Sequence, residues 1–252
     1  SMLILEQHYL TCLSQASYLV GDSDAGVAAV VDPRRDVGVY LEAAERLGVE
    51  IKHVLLTHFH ADFLAGHLEL AAATGATLHI GAAAEAEFEF APLADGGSIE
   101  LGEVSITALA TPGHTPESTC YVVRTSRDAE PHAVLSGDTL FIGDVGRPDL
   151  MSSVGVTAEE LAGSLYDSVH GKLLALPDET LLYPGHGAGS ACGKSLSSAL
   201  SCTIGAQRAT NYALQEMSKE AFVAVVTAGQ KPAPAYFGHD AALNKREHAL
   251  LD

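Results

Sequence analysis

An α/β fold with at least part of its sheet parallel is the expectation from three features of the sequence. Short apolar runs alternate with segments of helical period, so that strand, helix and strand follow one another within about thirty residues. At 252 residues and 47% hydrophobic content the chain can bury a large core. Polar turns rich in Gly and Pro close the strand-like runs, and the carboxyl ends of strands are where open α/β sheets hold their ligands.

Taken in order, residues 3–10 and 16–20 read as strands, and 26–31 is a third that stops at Asp32-Pro33. Asp36 is placed to cap a helix through Tyr40, Leu41, Ala44 and Leu47 that ends at Gly48. The pattern then repeats, with a strand over 51–56, a helix over 64–74 and a strand over 77–80. From Ser98 the rhythm changes: Ile99, Leu101, Val104, Ile106 and Leu109, with Gly102 between them, predict a hairpin of half-buried strands. Strands over 120–123 and 133–135 follow. Thr157 with Glu160 three residues on opens a helix that presents Leu161, Leu165, Val169 and Leu173. Residues 180–183 form a further strand. From Ser195 the chain reads as helical, with Leu196, Leu200, Ile204 and Leu214 apolar and a last run over 222–226.

Composition excludes some functions. With 14 Lys and Arg against 32 Asp and Glu, the net charge is −18, which repels phosphate backbones and anionic membranes. No nucleic-acid or membrane partner is expected, and an anionic substrate must meet a local cation. Cys12, Cys120, Cys192 and Cys202 are far apart without a CxxC pair, so reduced thiols in a cytoplasmic protein are expected rather than a disulfide framework. The first residues carry no basic, apolar leader pattern, and Ser1 ahead of Met2 reads as a remnant of tag cleavage.

Four strand ends carry chemistry. Thr57-His58-Phe59-His60-Ala61-Asp62, Thr111-Pro112-Gly113-His114-Thr115, Ser136-Gly137-Asp138-Thr139 and Tyr183-Pro184-Gly185-His186-Gly187 each set His or Asp in a tight turn after an apolar run. Imidazole and carboxylate donors grouped in this way suit a transition metal. The other histidines, His8, His53, His67, His79, His132, His170, His239 and His248, match no ligand motif.

The set THxHxD, PGHT, GDT and PGHG resembles the metallo-β-lactamase superfamily over nearly the whole chain. The stretches from Phe141 to Leu150 and from Gly185 to Lys194 are similar to its persulfide dioxygenase branch, which includes the ethylmalonic-encephalopathy-type sulfur dioxygenase and bacterial dioxygenase–rhodanese fusions. The resemblance implies a four-layer αββα sandwich in one domain, with residues 1–190 as the sandwich core and 191–252 mainly helical. Dinuclear members of the superfamily carry HxHxDH, whereas the last position here is Phe63, which has no lone pair to offer. A mononuclear site is therefore implied, with His58, His114 and Asp138 as ligands of one Fe(II) per chain, for which zinc is a possible substitute. His60, Asp62 and His186 would orient ligands or water, and His60 alternatively completes a three-histidine site.

The activity implied is oxidation of glutathione persulfide, or a similar thiol persulfide, by O₂ to sulfite and free thiol. Candidates for substrate binding are Arg147, Lys194, Arg208 and Tyr212. Arg147 alternatively pairs with Asp149, and Arg208 and Tyr212 are read as i,i+4 neighbours on one helical face. Glyoxalase II-type thiolester hydrolysis and a non-catalytic sulfur-binding partner are the alternatives. A homodimer and a rhodanese partner are implied by the relatives. No rhodanese domain fits after Phe237, so a stand-alone or truncated form is expected.

Overall fold

The computed structural model describes residues 2–150, 156–187, 190, 192, 200–234 and 236–247. Its first half contains β1 (Leu3–Leu10), β2 (Gln15–Asp22), β3 (Val27–Val31), α1 (Gly38–Leu47), β4 (Glu50–Leu55), α2 (His67–Thr74), β5 (Thr77–Gly81) and β6 (Ala91–Leu93). These strands form one sheet in the order β1-β2-β3-β4-β5-β6, antiparallel as far as β3 and parallel from β3 to β6. There follow β7 (Ser98–Leu101), β8 (Val104–Ala110), β9 (Thr119–Arg124), β10 (Ala133–Gly137), β11 (Leu140–Phe141), β12 (Asp144–Val145), α3 (Ala158–Gly171), β13 (Leu181–Pro184), β14 (Cys202–Thr203), α4 (Ile204–Thr210), α5 (Lys219–Thr227) and α6 (Tyr236–Lys245). The second sheet runs β14-β13-β10-β9-β8-β7, and β11 and β12 pair as a small ribbon.

Strand alternation builds the layers, because successive side chains leave opposite faces of a strand. In β3, Ala28 and Val30 pack with Tyr40 and Ala43 of α1 and Leu70 of α2. Ala29 and Val31 instead face inward, in a cluster with Ile106, Tyr121 and Leu135 of the other sheet. In β9, Tyr121 and Val123 face the first sheet, while Cys120 and Val122 pack with Leu165 and Val169 of α3 and Phe222 of α5. The result is the expected αββα sandwich, whose strands read as nearly continuous apolar runs because both of their faces are covered.

Polar contacts stitch the two sheets together at one edge. The Tyr121 hydroxyl donates to the Leu56 carbonyl (2.7 Å), the Thr119 N–H to the Thr57 carbonyl (2.8 Å), and the Tyr18 hydroxyl to the Pro184 carbonyl (2.6 Å). The Ala16 N–H reaches the Gly185 carbonyl and the Gly187 N–H the Ser14 carbonyl. The carbonyls of Leu56, Thr57, Pro184 and Gly185 lie in or next to two of the four motif turns.

The structure departs from the sequence reading at several ends. Asp36 does not cap α1: Val37 takes the cap position in helical backbone conformation, and no side-chain cap bond forms, since Asp36 lies two residues before the first helical residue. α2 begins at His67 rather than at Leu64, because residues 65 and 66 are held by tertiary contacts. Ala65 bridges Arg34, and the Gly66 N–H donates to the Pro33 carbonyl at 2.7 Å. The helical reading from Ser195 is interrupted by β14, which pairs with β13 at the sheet edge. Leu200 is exposed, and Leu196 lies outside the described residues. By contrast, Thr157 caps α3 by accepting the Glu160 N–H at 3.0 Å. No helix among the described residues is long and apolar enough to cross a membrane.

Leu165 is fully buried between α3 and the second sheet and touches Gly113, so it supports the turn that carries His114. Leu165→Ala is expected to cost about 2–5 kcal/mol in urea unfolding through lost transfer energy and the cavity left behind. Burial holds the His79 imidazole down at about 4, next to His53 at 2.9 Å. Between about pH 6.5 and 4 the unfolded chain therefore binds a proton that the folded chain does not, and stability falls as pH drops through that window. His79→Gln should flatten part of that decline, read as the urea midpoint at pH 7.5 and at pH 5.

Candidate metal centre

His58 and His60 follow β4, His114 follows β8, Asp138 follows β10 and His186 follows β13. The face-to-face packing of the sheets brings these four ends together. Asp138 lies at the centre. Its Oδ2 is 3.4 Å from His58 Nε2 and 3.3 Å from His114 Nε2, and its Oδ1 accepts from His186 Nδ1 at 2.6 Å. On its far side, His186 Nε2 contacts Asp62 Oδ2 at 2.5 Å. All five side chains are buried.

Close approach explains two glycines around the centre. Gly137 sits at φ +53°, and a Cβ there would meet Thr57 Oγ1 at 2.6 Å. A Cβ on Gly146 would run into the Asp138 carbonyl. Any larger residue at either position would push the Asp138 turn out of place.

Hydrogen bonds fix the rings from behind. His58 Nδ1 is 2.9 Å from Thr57 Oγ1, and His114 Nδ1 donates to the Arg147 carbonyl at 2.9 Å, which leaves each Nε2 directed at the centre. Thr57 in turn donates its N–H (2.9 Å) and hydroxyl (2.7 Å) to the buried Asp32 carboxylate. Asp32 Oδ1 is also 3.0 Å from His60 Nε2. Asn244 of α6, fully buried, donates to the carbonyls of His60 (2.8 Å) and Phe63 (3.0 Å) and accepts from the Ala65 N–H (3.0 Å). A residue near the end of the described chain thus holds the first motif's loop in place.

Electrostatics prepare the donors. Burial, reinforced by the neighbouring imidazoles, lowers His58 to about 4 and keeps its lone pair available. Burial alone would raise the Asp138 carboxyl, but the charges and contacts of His186, His58 and His114 hold it well below the usual carboxylate range. Burial opposes a charge on His186, yet the Asp138 and Asp62 carboxylates on its two sides raise it well above the usual imidazole value. Burial followed by the same two carboxylates pushes the Cys192 thiol well up, so it stays protonated.

His58, His114 and Asp138 form a group whose ligand atoms all lie within 4.8 Å of one another. Two of those atoms, His58 Nε2 and Asp138 Oδ2, are buried without a hydrogen-bond partner among the described residues. Such orphaned lone pairs are costly unless a cation receives them, and two imidazoles with one carboxylate suit a first-row divalent ion. The residues present therefore fit a metal. Asp62, His186 and Cys192 form a second group within the same limit, with Asp62 Oδ1 unpartnered. The Phe63 ring is buried in a core cluster with residues of α1 and α2, its centroid 4.4 Å from that of His60.

The expected substrate residues are dispersed. Arg147 is buried and forms a bidentate pair with Asp149, both contacts 2.8 Å. Arg208 pairs with Asp178 at the surface and donates to the Leu174 carbonyl. Tyr212 donates to Asp144 Oδ1 at 2.6 Å. The expected shared helical face does not form, because α4 ends at Thr210 and Tyr212 begins a separate 3₁₀ turn. Lys194 lies outside the described residues. A small cavity of about 150 Å³ does adjoin His114, lined by Phe59, Ala61, Leu150, Phe237 and Ala241 and by Lys245, which the sequence reading had passed over. Asp32 and Asn244 were passed over as well. Asp32 could have been found, since it ends a strand parallel and adjacent to the one that carries His58.

Fold and site define a metal-dependent member of the αββα sandwich class. The sequence profile of the metallo-beta-lactamase superfamily matches residues 10–186, and the chain belongs to that superfamily. It is 36% identical to a hydroxyacylglutathione hydrolase of Rhodospirillum rubrum over 73% of this chain and 67% of that protein. It is 30% identical to the mitochondrial persulfide dioxygenase ETHE1 of Homo sapiens over 73% and 68% of the two chains. The chain thus spans about two thirds of each relative's length. A crystal structure of a metallo-beta-lactamase from Staphylococcus aureus superposes with a TM-score of 0.92 at 32% identity, covering 100% of this chain and 75% of that one.

Asn244→Ala would strand one N–H and two carbonyls around the His60 loop. Loss of about 3 kcal/mol in chemical unfolding is expected, together with a 10–100-fold weaker affinity for a divalent ion in chelator competition.

Proposed function

We propose that the protein is a persulfide dioxygenase, which oxidises a low-molecular-weight thiol persulfide such as glutathione persulfide in the cytoplasm. In balanced form, one persulfide RSSH, one O₂ and one water give the thiol RSH, sulfite and two protons. The outer sulfur loses four electrons, and the two oxygen atoms of O₂ gain them. The observation that carries this reading is Phe63, a buried apolar ring at the sequence position where the HxHxDH motif of dinuclear members of the superfamily ends in histidine. The two-histidine, one-carboxylate set of His58, His114 and Asp138 supports it, because such a set leaves coordination positions open. Likeness to the human persulfide dioxygenase adds to it.

Ferrous iron held by these three residues would supply the redox chemistry that O₂ requires. The chain's own groups do the rest. Burial keeps His58 neutral as a donor, Asp138 stays ionised, and the Arg147 carbonyl and Thr57 hydroxyl fix the two imidazoles. His186 holds a proton between Asp138 Oδ1 and Asp62 Oδ2, which places an acid beside the centre. The apolar wall of Phe59, Leu150 and Phe237 keeps bulk water from the sulfur and limits competing hydrolysis and thiol oxidation.

Likeness to a hydroxyacylglutathione hydrolase favours a second reading, thiolester hydrolysis, in which a metal held by His58, His114 and Asp138 would supply the activation of water. Protein carrying its native metal is expected to hold one iron per chain by elemental analysis, to consume O₂ with glutathione persulfide, and to release sulfite in equal amount. Hydrolysis of S-lactoylglutathione without any oxygen uptake would replace the first reading by the second. Phe63→His should raise metal content from one ion per chain toward two, because it restores a nitrogen donor beside Asp62.

A further inference from the structure

An anionic substrate needs a cation in a chain of net charge −18. Arg147, Arg208 and Tyr212 are engaged with Asp149, Asp178 and Asp144. The cavity beside His114 holds a different one. Lys245, in the last turn of α6, lines it together with a mostly apolar set of side chains, and its ammonium lies 5.7 Å from the Phe59 ring centroid. It is half-buried and makes no ion pair with the described residues. Glu117 is felt by Lys245 electrostatically without pairing, and Glu85 and Glu87 border a neighbouring hollow that Lys245 also lines.

Several contacts fix the end of α6 that carries Lys245. Asn244, the residue before it, is tied to the His60 loop by three hydrogen bonds, and the Lys245 carbonyl accepts the Glu87 N–H at 2.8 Å. The Lys245 backbone is thus anchored on both sides while its side chain stays available. A cation with no ion-pair partner among the described residues, lining the same cavity as a metal-type histidine, matches a ligand that carries both a sulfur and a carboxylate. An ordinary role at the C-terminal end of a helix, favourable to a cation, would not require the side chain to line the cavity.

We infer that Lys245 recognises the carboxylate of the thiol substrate, with the short apolar body between carboxylate and sulfur lying against Phe59, Leu150 and Phe237. The substrate class is a small carboxylate-bearing thiol, bound with its sulfur toward His114. This deepens the persulfide reading and rests on it for the identity of the reacting group.

The test compares the persulfides of 3-mercaptopropionate, which is anionic, and 2-mercaptoethanol, which is not. Wild-type protein should show the lower KM for the anionic one. Lys245→Gln should raise that KM about tenfold or more with kcat within about twofold, and should leave the neutral substrate's KM unchanged, since only a charge-assisted contact is removed. Lys245→Arg should restore most of the preference. Arg246→Gln, at the exposed neighbouring position, should change neither constant. Thermal melting and metal content of each variant report on folding independently. In parallel, calorimetric titration with unreactive 3-(methylthio)propionate should show binding that Lys245→Gln weakens. Active wild-type protein with an unchanged preference in Lys245→Gln overturns the inference. Wild-type protein that consumes no oxygen with any persulfide overturns the dioxygenase reading instead, and the titration then decides on Lys245 alone: weaker binding in Lys245→Gln supports it and equal binding refutes it.

Discussion

The buried carboxylate of Asp138 is the contact around which the edge of the sandwich is arranged. One oxygen faces His58 and His114 and the other is held by His186, and those three residues leave three other strands. An ionised carboxylate shielded from water is tolerable only with partners of opposite or complementary character. The two sheets must therefore meet at the register that delivers all three imidazoles, and the inter-sheet bonds from Tyr121, Thr119 and Tyr18 set that register within a few residues of the centre.

The neighbourhood divides into two electrostatic halves. On one side Asp138, His186 and Asp62 form an alternating chain of buried charges, and Cys192 beside it is kept as a thiol. On the other side the surface is apolar up to Lys245. A reaction that needs a fixed proton near the metal and a dry approach for sulfur is served by such a division, because a low-dielectric wall strengthens every charge interaction inside it. α6 takes part in both halves: Asn244 braces the histidine loop and Lys245 borders the cavity.

Much of this was legible in the sequence. Apolar runs marked most strands of both sheets, and the Gly/Pro turns with His or Asp marked the four ends that converge. Short range is what made them legible, since each motif carries its turn chemistry within a few residues. β6, β11 and β12 escaped because two or three residues give no period to read. Asp36 looked like a cap because the residue type was right, yet the chain entered the helix two residues later. Arg208 and Tyr212 looked like neighbours because i,i+4 spacing assumes a continuous helix, and Asn211 breaks it.

By itself the sequence determined the fold class, the superfamily and the residues of ligand type at the strand ends, because donor chemistry and local turn geometry are written in adjacent residues. Only the tertiary structure decided which groups stand behind those donors and which cation faces the cavity. Asp32, Asn244 and Lys245 act across separations in sequence of 25 to more than 180 residues. No local pattern records a contact that exists only once two sheets and a distant helix have packed against one another.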